Sequence, residues 1–487
     1  MKTLTFICCL PLLFSAKLQA EDLPAPQKAA PTTFAPRPES AIKRLATALT
    51  FATISTQDPS LFPHETFDAF EIYLAQTFPK MHAQLQKEKH GQHGLLFIWP
   101  GTNPKLKPAL YMAHQDVVPV PALELEQWAH PPYGGEIADG YLWGRGAIDV
   151  KAMLMALCET IEALLEKNYQ PQRTLYFAFG QDEETGGEDG NKKIAAHLKT
   201  QGIELAWVHD EGMVITDGVI DGLDEAVALI GVAEKGYMSL ELTAPGMGGH
   251  SSMPPPQTAV TRLAQALVAI SENPLEPSME GPVKELFSTL APHMPFPQST
   301  LFGNLWLFQG LVTSKLADVD TTNALVRTTI APTMLSGSIK DNVLPTEAKA
   351  IINFRIHPND SVNKVRSHIR DVINDEGIKI EVAANTLFSE PSAVSTTDNP
   401  GYILIEKTLK QQFPKIYVAP ALFVAATDSR HYRHLTKNIY RFTPYWMQAD
   451  DRERIHGINE RISVKNYENY VDFFMKCVAA AGEDQTP

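Results

Sequence analysis

The chain has 487 residues, 44% of them hydrophobic and 20% charged, and a formal net charge of -14 at pH 7. That length exceeds one ordinary core and implies two compact units, or one large domain with an insertion. An acidic balance with no basic run to neutralise phosphates excludes a nucleic-acid footprint, and the composition is that of a soluble globular protein.

Residues 1–20 read as a secretory signal: Lys2, an apolar stretch over Leu4–Ala16, then Leu18-Gln19-Ala20. The apolar stretch is short for a bilayer, so cleavage after Ala20 is expected rather than an uncleaved anchor. No small-residue box leads into Cys8 or Cys9, which argues against a lipidated start. Cys158 and Cys477 would then be the cysteines of the mature chain, too few for a disulfide framework, and each reads as a core residue. No later segment offers the run of about eighteen apolar residues that membrane insertion needs, which points to a periplasmic or secreted enzyme.

Residues 21–39 form a proline-rich lead-in, Ser40–Leu49 and Glu65–Thr77 are helical in pattern, and Gly94–Trp99 and Ala109–Ala113 read as strands. The second strand runs into His114-Gln-Asp116. Side chains two apart in an extended segment point to the same side, so His114 and Asp116 can share one small site. Glycines surround Arg145, and Asp149 precedes a helical pattern over Met153–Leu165. Strand Thr174–Phe179 leads to the adjacent carboxylates Glu183 and Glu184, and strand Leu205–Val208 to His209-Asp210-Glu211-Gly212. With crossover helices between them, these strand tips fall along one edge of a sheet, where open α/β sheets bind ligands.

After Ile230 the pattern changes. Strands Tyr237–Ala244, Ile330–Leu335, Lys349–Ile356 and Ile378–Val382, with helices Thr258–Ser271 and Val362–Ile373, make a small α+β domain. The irregular insertion Asn273–Val319 is placed within it. Beyond Ser389 the first domain resumes with helix Tyr402–Gln412, strand Tyr417–Leu422 and helix Tyr467–Ala481. The boundaries are 1–20, 21–39, 40–233, 234–386 and 387–487. The fold class is α/β: a mixed-sheet catalytic domain with helices on both faces, interrupted by a smaller α+β domain.

A site for two zinc ions needs imidazole nitrogens and carboxylate oxygens with one shared ligand. His114, Asp149, Glu184, Asp210 and a late histidine, His456, would supply that set. The runs His114-Gln-Asp116, Gly144-Arg-Gly-Ala-Ile-Asp-Val-Lys151, Asp182-Glu-Glu-Thr-Gly-Gly187, Gly248-Gly-His-Ser-Ser252, Asn342-Val-Leu-Pro345 and His456-Gly457 together resemble the aminoacylase and carboxypeptidase S family of di-zinc metallopeptidases. The likeness extends from about Leu45 to the C-terminus.

The resemblance implies that Asp149 bridges two zinc ions, one also held by His114 and Asp210 and the other by Glu184 and His456. Glu183 would be the general base. Asp116 would accept the N–H of His114 and fix its tautomer. His250 would reach the partner subunit's site to stabilise an oxyanion, and Asn342 and Arg355 would grip a substrate carboxylate. The inserted domain would act as a lid and as the interface of a homodimer. Asp210 stands where some relatives use Glu, and Glu211 follows at once; the assignment favours Asp210. His209 reads as a bystander, and His431 and His434 as a substrate-side loop or a surface pair.

The reaction implied is hydrolysis of an amide bond, releasing an amino acid with a free carboxylate from a short peptide or an N-acyl amino acid. A non-catalytic binding protein of the same fold is the alternative, disfavoured because every ligand position is filled. A nucleotide-dependent enzyme would need a glycine fingerprint opening a helix, and none is present.

Overall fold

Two runs, Ala-Leu-Tyr-Met-Ala-His114 and Leu-Tyr-Phe-Ala-Phe-Gly180, are apolar at nearly every position, which suits a strand covered on both faces. A computed structural model describes residues 38–483 apart from Asp221, Asn385 and Ala449, and both runs are buried from end to end. In chain order the main strands are β1 (Gln86–His90), β2 (Gly94–Trp99), β3 (Ala109–His114), β4 (Leu175–Gly180), β5 (Trp207–Thr216) and β6 (Val227–Glu234). They continue as β7 (Gly236–Pro245), β8 (Thr329–Ser336), β9 (Glu347–Ile356), β10 (Lys379–Val382), β11 (Tyr417–Phe423) and β12 (Ile439–Met447).

The large sheet has eight strands in the order β1-β2-β4-β3-β5-β12-β6-β11. Its parallel centre is β4, β3, β5 and β12, flanked by antiparallel pairings at β1, β2 and β6. Alternate residues of β3 serve two cores. Tyr111 packs with the helices Lys151–Glu166 and Val464–Ala481, while Leu110 and Met112 pack with Ile194 and Leu198 of the helix Asn191–Thr200. Helices therefore cover both faces, and the carboxyl ends of the parallel strands open at one edge.

The small sheet is antiparallel in the order β8-β9-β7-β10. Its strand β9 alternates buried and open residues along its length, so one face carries a core and the other does not. Met238, Leu240, Leu242, Ile352 and Phe354 of that face pack on the helices Ala259–Glu272 and Val362–Ile373. The chain enters at Tyr237 and returns at Ser389, and these two residues exchange backbone hydrogen bonds of 3.0 and 2.9 Å.

The insertion belongs elsewhere than the sequence placed it. Val283, Leu286, Phe287 and Leu290 form one stripe of the helix Pro282–Leu290, which packs with Phe302 and Leu316 against Val227, Ala419 and Leu422 of β6 and β11. Strand β11 ends the large sheet, so the insertion covers an edge that would otherwise lie open. From Met279 onward the segment is thus a layer of the large domain, whereas its start stays with the small one, where Leu275 joins the core.

Other differences are local. Strand β5 continues through Asp210-Glu211-Gly212 to Thr216, although its polar residues interrupt the apolar run. Strand β12 lies inside the sheet despite Pro444, at the cost of two irregularities in its register with β5. Cys158 and Cys477 are buried and free. The signal at 1–20 and the lead-in up to residue 37 lie outside the described residues. Among the described residues no helix is long and apolar enough to cross a membrane.

His209 is a core residue, with Nε2 2.9 Å from the carbonyl of Phe442 and its ring against Tyr111, Phe473 and Phe474. Burial holds its pKa down to about 4. Between there and the usual value near 6.5, the unfolded chain binds a proton that the folded chain does not, so stability falls as pH drops through that window. The contribution amounts to about 3 kcal/mol by pH 4. Urea denaturation from pH 7 to 4.5 is expected to show a slope shallower by about one proton in His209→Leu than in the unsubstituted chain.

Candidate active site

His114 ends β3 with its ring almost fully buried. Its Nδ1 lies 2.9 Å from the backbone carbonyl of Asp116 and 3.4 Å from that residue's Oδ1. The carbonyl is the nearer acceptor for the Nδ1–H, so the sequence-based role of the Asp116 carboxylate is only partly met. That carboxylate, itself fully buried, accepts the Ser55 hydroxyl at 2.6 Å and the N–H groups of Glu183 and Glu184 at 3.2 and 3.1 Å. Asp116 therefore holds the turn that presents the two glutamates.

With Nδ1 committed, Nε2 of His114 faces Asp149 Oδ1 at 3.1 Å and Glu211 Oε1 at 3.3 Å. On the other side of Asp149, His456 Nε2 lies 3.1 Å from Oδ2 and 3.3 Å from Glu184 Oε2. Two triads, His114/Asp149/Glu211 and His456/Asp149/Glu184, thus share one carboxylate. Asp210 is not among them. Its Oδ1 accepts the N–H of Glu211 and its Oδ2 that of Ser429, at 2.9 and 3.0 Å. In a strand, neighbours point to opposite sides, so only one of Asp210 and Glu211 can face His114, and it is Glu211.

Such crowding shifts the members of both triads. Burial pushes Glu184 up to about 7 and Glu211 up to about 8, and Asp149 opposes the charge of both. Burial also raises Glu183 well above the carboxylate range. His456, bonded to Asp149 and Glu184, is raised to about 10. Burial works against the charge of Asp149, yet the two histidines outweigh it and hold that carboxyl below its ordinary value.

The donors fit divalent metal ions. Imidazole nitrogen and carboxylate oxygen are the ligand types of catalytic zinc sites, and Glu184 Oε1 is buried without a hydrogen-bond partner. His114, Glu211, Asp149, Glu184 and His456 are the residues that would hold them.

Several residues that build this site were not singled out in the sequence. Glu460 is fully buried, pairs with Arg145 at 2.7 Å, and accepts the N–H groups of Gly146, Ile148 and Asp149 at 3.0, 2.8 and 3.2 Å. Arg145 also donates to the carbonyl of His456 at 3.0 Å. One ion pair thereby fixes both the Asp149 loop and the His456 loop. Behind the glutamates, Arg430 donates to the carbonyl of Gly186 at 2.7 Å, and Asp428, its pKa pushed up to about 7 by burial, accepts from Asn191 at 2.8 Å. Gly187 has φ +65°, and a Cβ there would lie 1.9 Å from Asp428 Oδ1, so only glycine fits. His431 Nε2 sits 3.2 Å from the same Gly186 carbonyl, so it supports this loop from within the protein. His434 is less buried and lies near Lys199. Trp128 and Trp143 are buried packing residues.

The small-domain residues stand apart from the triads. His250 is exposed on the short ribbon Gly249–His250, which pairs with Val343–Leu344. The Asn342 carbonyl accepts from Ser251 at 3.1 Å, and Asn342 Oδ1 is buried without a partner. Arg355, on β9, stacks 4.5 Å above the ring of Tyr237 beside the interdomain crossing. Among the described residues none of the three contacts the triads.

Comparison with known proteins agrees with this architecture. The family model described as Peptidase family M20/M25/M40 matches residues 110–480. A probable carboxypeptidase S-like protein of Dictyostelium discoideum is 41% identical over 89% of this chain and 83% of its own length. An N-fatty-acyl-amino acid synthase/hydrolase of Mus musculus is 38% identical over 94% and 91%. Carboxypeptidase S of Saccharomyces cerevisiae is 29% identical over 91% and 84%. In structure, an M20 family metallo-carboxypeptidase from Sulfolobus solfataricus superposes with a TM-score of 0.64 at 16% identity, over 91% of this chain and 99% of its own. The chain belongs to the M20/M25/M40 peptidase family. It is a hydrolase of amide bonds that release an amino acid, in a family of metal-dependent enzymes.

Replacing Glu460 by Ala leaves Arg145 buried without its partner and three N–H groups without an acceptor. Loss of one partner of a buried pair costs about 3–5 kcal/mol, so chemical denaturation is expected to show destabilisation of that size, with turnover falling as the Asp149 and His456 loops loosen.

Proposed function

We propose that this chain is a two-zinc amidohydrolase that separates an acyl group from an amino acid with a free carboxylate. The observation that carries the proposal is the pair of nitrogen–oxygen triads sharing Asp149, with Glu183 beside them and absent from both. One ion would be held by His114, Asp149 and Glu211, the other by Asp149, Glu184 and His456. Bound there, zinc supplies Lewis acidity and lowers the pKa of water toward neutrality.

Glu183 is the proton carrier. Standing outside both donor sets, its carboxylate is left to take a proton from the attacking water and deliver it to the leaving amine. The turn held by Asp116 keeps it in place. Asn342, through its side-chain amide N–H groups, and Arg355, through its planar fork, are suited to donate to the substrate's carboxylate once the small domain closes. On the acyl side, the relatives named as N-fatty-acyl-amino acid synthase/hydrolases support a fatty acyl group. The carboxypeptidase S-like relatives favour a second reading, a short peptide cut before its last residue.

We further propose a homodimer through the small domain. Strand β8 ends its sheet, with Met334 and Leu335 65% and 69% exposed, and such an edge suits pairing with a second copy. His250, outside its own chain's site, would then serve the partner's. The segment at 1–20 supports export to a periplasmic or extracellular space.

A panel of N-acyl amino acids of graded chain length and of dipeptides, with and without chelator, tests the substrate reading; activity on none of them with metal restored would sink it. Glu183→Gln is expected to keep its metal and lose about 10³-fold in kcat. Elemental analysis should find metal lost in Glu211→Ala and retained in Asp210→Ala; the reverse would return the ligand role to Asp210. For the dimer, mixing inactive His250→Ala with inactive Glu183→Gln should restore up to about a quarter of the activity through mixed dimers, whereas a fully active His250→Ala protein would remove the in-trans role.

A further inference from the structure

A second group of metal-binding side chains lies between strand β1 and the helix Asn191–Thr200, apart from both triads. Glu88 and His90 are two residues apart in an extended strand and share a face, and His197 meets them from the helix. Nε2 of His90 lies 3.0 Å, and Nε2 of His197 3.1 Å, from one and the same oxygen, Glu88 Oε2. The two rings stand 4.5 Å apart, and the side chains are 16%, 31% and 37% exposed for His90, His197 and Glu88, within reach of solvent.

Without a cation, a single carboxylate oxygen has to accept an N–H from each of two crowded imidazoles. A divalent ion bound at about 2.0–2.2 Å from each donor holds its ligand atoms roughly 3.3 Å apart, so small side-chain rotations convert this arrangement into a coordination sphere. Glu88 has no lysine or arginine within ion-pair distance among the described residues. The neighbouring group Asp68, Glu71 and His93 differs, because Lys87 and Lys89 already occupy Glu71.

We propose that Glu88, His90 and His197 bind a divalent transition ion of the zinc type. Two imidazoles and one carboxylate select such ions over calcium or magnesium, and a fourth position is left to water. The ion ties the sheet's edge strand to the helix that follows the catalytic loop. The hairpin after β1 is already joined to that loop: the Gln92 N–H and the Gln181 side chain both donate to Asp189 Oδ2, at 2.8 and 2.9 Å. The Asp189 and Gly190 N–H groups in turn donate to Asp182, at 2.7 and 2.9 Å. The site is a brace behind the turn that presents Glu183 and Glu184, and it does not depend on which substrate the enzyme takes.

Holoenzyme carrying its catalytic metal, freed of excess ion, is titrated with Zn2+ by calorimetry. The expected result is one further equivalent per chain whose affinity drops at least about 10-fold in His197→Ala and in Glu88→Gln. Turnover before the addition should be unchanged in both variants, and the rise in melting temperature on adding Zn2+ should be present in the unsubstituted chain and absent from both. Absence of a further equivalent in the unsubstituted chain, or its persistence at full affinity in both variants, overturns the proposal.

Discussion

The shared carboxylate of Asp149 is the constraint on which the site depends. It stands between two imidazoles, each of which also faces a glutamate, and Glu183 adds a further, partly buried carboxyl close by. So many acids in a low-dielectric space repel one another unless positive charge is placed among them. The pKa directions follow the same crowding: burial, and after it the charge of Asp149, raises Glu184 and Glu211, and hydrogen bonds to Asp149 and Glu184 raise His456. Divalent cations answer the same demand, which is why the donor geometry and the electrostatics point to the same chemistry.

Keeping such a cluster assembled falls to residues that touch neither triad's donor atoms as ligands. Asp116 clamps the glutamate turn to β3 through two backbone N–H groups, and Glu460 with Arg145 locks the Asp149 loop to the His456 loop. Each of these buried charges is held by at least two hydrogen bonds, the condition under which a buried ion organises a structure rather than weakening it. The rigid half of the site is the large sheet with these clamps. The small domain, joined at Tyr237 and Ser389, carries His250, Asn342 and Arg355.

Much of the fold was legible in the sequence because periodicity records burial. The helix Val362–Ile373 has the limits its pattern gave, β9 alternates as a one-sided strand must, and the α/β class with an inserted α+β domain follows from the order of such segments. The misplaced insertion has a physical reason. An apolar helix stripe announces that it will be covered but does not say by which surface, and the open edge at β11 is a fact of the folded sheet. Strand β12 escaped because Pro444 and a run of aromatic residues obscure its period.

The chemistry divides along the same line. By itself the sequence determined the residue types of the site and the delivery of His114 and Glu184 at strand ends, while Asp149 and His456 each sit in a short motif of a loop. Only the tertiary structure showed that Glu211, and not Asp210, faces His114. Adjacent residues of a strand face opposite sides, and which side His114 occupies is set by the pairing of β3 with β5. The structure likewise brought Glu460 to Arg145 across 315 residues and His197 to Glu88 across a helix and a sheet edge. Contacts of that range are products of packing, and no local pattern encodes them.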